Sequence, residues 1–137
     1  MISQIAIYGV LLFAAWMGLV GSLMLLAPDG ALSILRMAGS TAVINVAEQA
    51  LRFSFGLAMI VAAPLSRFPD AFHWIGLFIT ATSVLILLVP RRWHHGYAVW
   101  WADKLHPVVV SLLAPIAFAA ALVLVYAVMI DLPVVNG

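Results

Sequence analysis

VVVSLLAPIAFAAALVLVYAVMI, Val108 to Ile130, runs for 23 residues without an Asp, Glu, Lys or Arg. A helix of that length, rising about 1.5 Å per residue, crosses a hydrocarbon core about 30 Å thick. A surface helix of a water-soluble domain would need a charged stripe that this stretch lacks. Three more runs have spanning length: Ile5 to Leu26, Val43 to Ala63 and Phe72 to Val89, of 22, 21 and 18 residues, against a requirement of about 17 to 25. The first and third of these are also free of Asp, Glu, Lys and Arg. The expected fold is an all-α membrane protein: a four-transmembrane-helix bundle with short connections and an interfacial amphipathic segment between helices 3 and 4. Residues 1–137 then form a single integral membrane domain.

Composition agrees with that solvent. The 137 residues are 66% hydrophobic and 8% charged, with a mean hydropathy of +1.20, whereas soluble domains carry about 25% charged residues. The opening MISQ has no Lys or Arg, and the apolar run after it is about twice the length of a signal-peptide core, so the first helix is expected to remain in the protein. With no cysteine in the chain, disulfides, thiolate catalysis and Cys-ligated zinc or iron–sulfur centres are excluded.

The net charge of +1 matters less than its placement. Arg36 lies between the first and second spans, and Arg91, Arg92 and Lys104 between the third and fourth; the intervening turn holds only Arg67. The positive-inside bias therefore puts connections 27–42 and 90–107 in the cytoplasm and both termini outside a cell inner membrane. PLSRFPD, Pro64 to Asp70, is short and begins with proline, which predicts a tight hairpin between the second and third helices. In APDGALSILRMAGS, Ala27 to Ser40, Asp29 is placed to cap a short helix whose Leu32, Ile34, Leu35 and Met37 rest on lipid; a plain surface loop is the competing reading.

RRWHHGYAVWWADKLHP, Arg91 to Pro107, gathers cations, aromatics and histidines. Trp93, Tyr97, Trp100 and Lys104 recur at nearly helical spacing, with Trp101 and Leu105 widening the face, as in a helix lying where headgroups meet hydrocarbon. Arg91 and Arg92 are expected to anchor it to an anionic leaflet. A metal site built from His94, His95, Asp103 and His106 is the minor alternative, since no HExxH or comparable ligand spacing accompanies them. Haem is disfavoured as well, because His73 and His106 fall at opposite ends of the bundle. Pro107 marks the start of the fourth helix, with His106 just outside it. No cofactor is predicted.

NVAEQALRFSFG, Asn45 to Gly56, is the anomaly. Asn45, Glu48, Gln49 and Arg52 share a face of an otherwise apolar span, and Glu48 precedes Arg52 by four residues, the favourable order for an ion pair. If hydrocarbon begins near Ile44, Arg52 lies about 12 Å inward, where exposing an arginine to lipid costs about 2.5 to 3.5 kcal/mol. This face must therefore look into the bundle, a partner or a watery crevice. One reading is a packing or docking network in which Glu48 and Arg52 neutralise each other and Asn45 and Gln49 complete hydrogen bonds. The other is a site for an anion, a lipid headgroup or a small polar ligand, with Arg52 as the contact.

Small residues at four-residue spacing favour close helix approach: Ala14, Gly18 and Ser22 on the first span, Gly76 and Thr80 on the third, Ala117 and Ala121 on the fourth. Pro115 is expected to bend the fourth. Catalysis has little support. No serine stands in GxSxG, and no P-loop, dinucleotide fingerprint or acidic magnesium set is present; an interfacial lipid-modifying enzyme built on His94, His95, Asp103 and His106 stays as an alternative. Two adjacent arginines in a tryptophan-rich, membrane-proximal segment do not make a nucleic-acid surface. The expected function is that of a small auxiliary or structural membrane protein, an accessory subunit packing with membrane lipids and with a membrane protein partner or as a homo-oligomer. A transporter or binding protein for an anion, lipid headgroup or small polar ligand is the alternative.

Overall fold

The computed structural model describes residues 1–129; the expected end of the fourth span at Ile130 and the expected outer segment 131–137 lie outside the described residues. Six α-helices follow in order: α1 (Ile2–Leu26), α2 (Pro28–Met37), α3 (Ala42–Ala62), α4 (Pro69–Leu88), α5 (Arg91–Lys104) and α6 (Pro107–Val128). One 3-10 turn, Ala63–Leu65, extends α3. No strand occurs among the described residues. Helices α1, α3, α4 and α6 have the length and apolarity to cross a membrane.

Local chemistry sets the ends. Proline stands at the start of α2, α4 and α6, where its missing amide proton removes no helical hydrogen bond. Thr41 Oγ1 accepts from the Ile44 amide at 3.1 Å and caps α3; the His106 ring does the same for α6 through the Val108 amide at 3.2 Å. The spans begin earlier than the apolar runs, at Ile2 and Pro69 rather than Ile5 and Phe72, because the helix includes polar first turns that hydropathy ignores. Pro115 lies inside α6 without ending it.

The four long helices pack as two tight pairs, α1 with α6 and α3 with α4, joined by α1 against α3. Glycine permits the closest crossings. A Cβ on Gly56 would stand 2.8 Å from the Gly76 carbonyl oxygen and against the Thr80 hydroxyl, and one on Gly76 would stand 2.7 Å from the Gly56 carbonyl oxygen. On α1 a Cβ at Gly9 would meet Ala58 Cβ at 2.8 Å, and one at Gly21 would meet Ala117 Cβ at 3.3 Å. The expected Ala14–Gly18–Ser22 series is thus shifted: Ala14 is buried, but a Cβ on Gly18 would meet nothing within 4 Å. Spacing identifies a small-residue stripe; it does not say which turn the neighbouring helix crosses.

The core gathers at one end. Val10 and Ala14 of α1, Met59 and Ala62 of α3, Phe72 of α4 and Leu124 of α6 belong to a single buried cluster, all in the half remote from α2 and α5. At that end the α3–α4 hairpin is tied to α6: the Arg67 amide donates to the Ala127 carbonyl at 2.9 Å, and its guanidinium donates to the Tyr126 hydroxyl at 3.1 Å.

At the other end α2 and α5 pack on each other, and α2 also touches α1 and α6. Asp29 is not the cap of α2. Ala27 holds that position with no side-chain hydrogen bond, and Asp29 sits in the first turn, where its charge still favours the helix dipole. Leu32, expected against lipid, is buried by protein; Ile34 and Met37 are the exposed pair.

Candidate functional site: a crevice at Arg52

Between α2 and α3 the chain reverses through Gly39, whose φ of 64° lies in the left-handed region that glycine adopts without a Cβ penalty. A Cβ there would also stand 2.6 Å from His94 Cδ2. Gly39 organises the polar groups around it. Its amide donates to Glu48 Oε2 at 3.2 Å, and its carbonyl accepts from Arg91 Nη1 at 3.1 Å; the Ser40 carbonyl accepts from the same nitrogen. His94 Nε2 reaches Glu48 Oε2 at 3.4 Å, and His95 Nδ1 donates to the Ala38 carbonyl at 2.9 Å. Glu48, His94 and Arg91 thus fasten α3, α5 and the α2–α3 turn together.

This arrangement differs from the i,i+4 ion pair that the spacing suggests. Among the described residues the carboxylate contacts within 4.0 Å are Arg36 with Asp103 and His94 with Glu48; Arg52 has none. Its Nη2 donates to Thr82 Oγ1 of α4 at 3.1 Å, and the side chain is otherwise exposed. The stems of residues 48 and 52 share a face, but Glu48 bends toward donors brought by other elements. Asn45 and Gln49 do not complete the expected network either. Both are buried, Gln49 at 1% exposure, yet among the described residues Asn45 Oδ1 and Gln49 Oε1 have no hydrogen-bond partner, nor does Thr80 Oγ1. An unmatched buried polar atom costs about 1 to 3 kcal/mol, so packing alone is not optimised at these three positions of α3 and α4.

Two adjoining crevices open here. One, of about 410 Å³, is lined by Glu48, Gln49, Arg52, His94, Tyr97 and Trp101 among others. The second, of about 270 Å³, runs past Arg52 between Trp16, Phe55 and Ile79; its back wall is the Phe13–Phe55 stack, with centroids 4.6 Å apart. Trp16, Leu51 and Arg52 are common to both. Arg52 is therefore a cation common to both chambers, the larger of which also carries Glu48, Gln49 and His94.

The large aromatic side chains of α5 lie on its outward face. Trp93, Tyr97, Trp100 and Trp101 are exposed, while Ala98 and Ala102 form the buried side. Trp100 packs edge-on to Trp101 with centroids 5.0 Å apart, and Lys104 Nζ lies 5.9 Å above the Trp100 ring. Arg91 is held by the Gly39 and Ser40 carbonyls, and both Arg91 and Arg92 are exposed.

The residues of the alternative metal site are separately engaged. His94 meets Glu48, His95 meets Ala38, and Asp103 pairs with Arg36 at 2.8 Å, while His106, beyond the end of α5, caps α6. No group of three or more His, Asp or Glu side chains with metal-binding proximity occurs among the described residues.

Sequence reasoning missed Gly39, Gly56 and Thr82. Gly39 carried a usable signal, a glycine before a Ser-Thr helix start; nothing local marks Thr82 as the partner of an arginine 30 residues away. No family model, curated protein or solved structure matches this chain.

Proposed function

We propose that this small multi-pass membrane protein acts by binding, without catalysis, an anionic group presented from within the membrane at Arg52. One observation carries the reading: an arginine midway along a spanning helix has a hydroxyl partner but no carboxylate within 4.0 Å among the described residues. A guanidinium offers five donors in a planar fork suited to carboxylate or phosphate, and a cation at that depth is costly unless an anion or water meets it.

A second reading is favoured by the exposure of Arg52. An acidic side chain on the helix of a membrane protein partner, or on a second copy, would cover it, making this chain an accessory subunit. The charge distribution supports an orientation in which the α2–α5 layer faces the cytoplasm of a cell inner membrane.

Native mass spectrometry after purification in mild detergent separates the readings. A small molecule retained by the wild-type protein and lost in Arg52→Gln is the expected result. Loss of a stoichiometric protein chain in that variant would transfer the function to assembly. Identical retained masses in the two proteins would reject both.

A further inference from the structure

Behind the Phe13–Phe55 stack that backs the chamber at Arg52 lies a further space. Phe13, Met17 and Ile79 also wall this third space, of about 290 Å³, between α4 and α6, reaching Met59, Phe72 and Leu124 and presenting no polar surface. It forms because α4 packs on α3 and α6 on α1, whereas α4 and α6 make little contact with each other. Along the bundle the order is a vestibule lined by Glu48, His94, Tyr97 and Trp101, the Arg52 guanidinium, then an apolar slot. From Ile79 to Phe68 the slot follows α4 for about 16 Å at 1.5 Å per residue. Taken together the spaces remain within the range of small-molecule sites, about 300 to 1,000 Å³.

Resting on the Arg52 reading, the geometry points to a single-chain amphiphile as the ligand: a fatty carboxylate whose head pairs with Arg52 and whose acyl chain lies in the slot between α4 and α6. The dimensions select one chain, since the slot is walled by α1 and α3 behind and by α4 and α6 at the sides. The depth selects the head. A phospholipid phosphate stays at headgroup level, about 12 Å from the depth inferred for Arg52, whereas a free carboxylate carries no further headgroup to hold it there. Glu48 lines the same vestibule and would oppose an anion, but its Oε2 is turned to the Gly39 amide and His94, which leaves the guanidinium as the unpaired charge. The vestibule beside α5 is the way in for the head, from the leaflet adjoining the α2–α5 layer.

The test uses the full chain in phosphatidylcholine nanodiscs with a palmitate analogue carrying a diazirine near its chain end. Photolysis should label Phe72, Met59 or Leu124, which are buried from bulk lipid. That labelling should fall by about tenfold or more in Arg52→Gln, the scale of losing a charge-assisted contact, and by a similar factor for the methyl ester of the probe. Ala120→Phe, which narrows the slot, should abolish labelling there while leaving Arg52-dependent binding of butyrate, followed by saturation-transfer NMR, unchanged.

Butyrate binding that needs Arg52, with chain-end label scattered over exposed α1 and α4 positions in acid and ester alike, would overturn the amphiphile and leave the anion site standing. Competition by lysophosphatidate but not by laurate would overturn the carboxylate head. If no probe responds to Arg52→Gln, this inference and the reading it rests on both fall.

Discussion

At residue scale, Glu48 and Arg52 make the structure falsifiable. An i,i+4 ion pair would give a coupling energy in a double-mutant cycle, whereas these side chains have separate partners. We expect the Glu48→Ala and Arg52→Ala cycle, read from unfolding in bilayers, to show coupling below about 0.5 kcal/mol. Glu48→Ala alone should cost about 1 to 3 kcal/mol, because the buried Gly39 amide loses its acceptor. Coupling above about 1 kcal/mol between residues 48 and 52 would restore the ion pair. Glycines give a second check. Gly56→Ala drives a Cβ to 2.8 Å from the Gly76 carbonyl oxygen, so α3 and α4 must separate at a cost of about 1 to 3 kcal/mol. Gly18→Ala meets nothing within 4 Å and should change stability by no more than about 0.5 kcal/mol. Equal loss in the two variants would place the helix crossing elsewhere.

At the scale of elements, α2 and α5 form one layer with two kinds of fastening. The Arg36–Asp103 pair is close but its side chains are 47% and 59% exposed, so solvent screening limits it to less than about 1 kcal/mol. Arg91 instead serves two main-chain carbonyls at the left-handed Gly39 turn. Hydrogen–deuterium exchange should therefore show faster opening of residues 38–41 in Arg91→Ala than in Asp103→Ala; the reverse order would mean that the exposed pair holds the layer. The outward aromatics of α5 have no such role in packing. Trp93 and Trp100 should be quenched by lipids brominated near the headgroup, and their joint replacement by alanine should leave Arg52-dependent binding in place while loosening α5 from the interface. Absence of quenching would mean that protein covers these rings.

For the molecule as a whole, an even number of spans places Gln4 and Asp70 on one side and Gly96 on the other; which side is which is a matter of charge. With Arg36, Arg91, Arg92 and Lys104 all at the α2–α5 end, single cysteines at residues 4 and 70 should react with an impermeant thiol reagent added outside intact cells. A cysteine at residue 96, where an added side chain meets nothing within 4 Å, should react only after the membrane is opened. Labelling in the opposite sense would invert the orientation, and with it the leaflet from which the Arg52 vestibule is reached, without altering the bundle. The core has the same polarity: its buried cluster fills the end remote from α2 and α5, so the end that holds the crevices is the one with fewer apolar contacts to resist widening.

The sequence by itself determined the solvent and the number of spans, because the hydrophobic effect acts on every residue of an apolar run and needs no knowledge of neighbours. It also exposed the polar face of α3, since Glu48 and Arg52 with two amide side chains on one face break a pattern in which the other apolar runs carry no Asp, Glu, Lys or Arg. Partner choice was decided only by tertiary structure. Glu48 is claimed by an amide nine residues before it and an imidazole 46 residues after it, and Arg52 by a hydroxyl on the next spanning helix. A hydrogen bond needs its donor and acceptor at about 3 Å with the right angle, and spacing along one helix cannot supply that for groups carried by another. The slot between α4 and α6 was invisible for the same reason: it is the space left by two helix pairings, and no residue in the sequence encodes it alone.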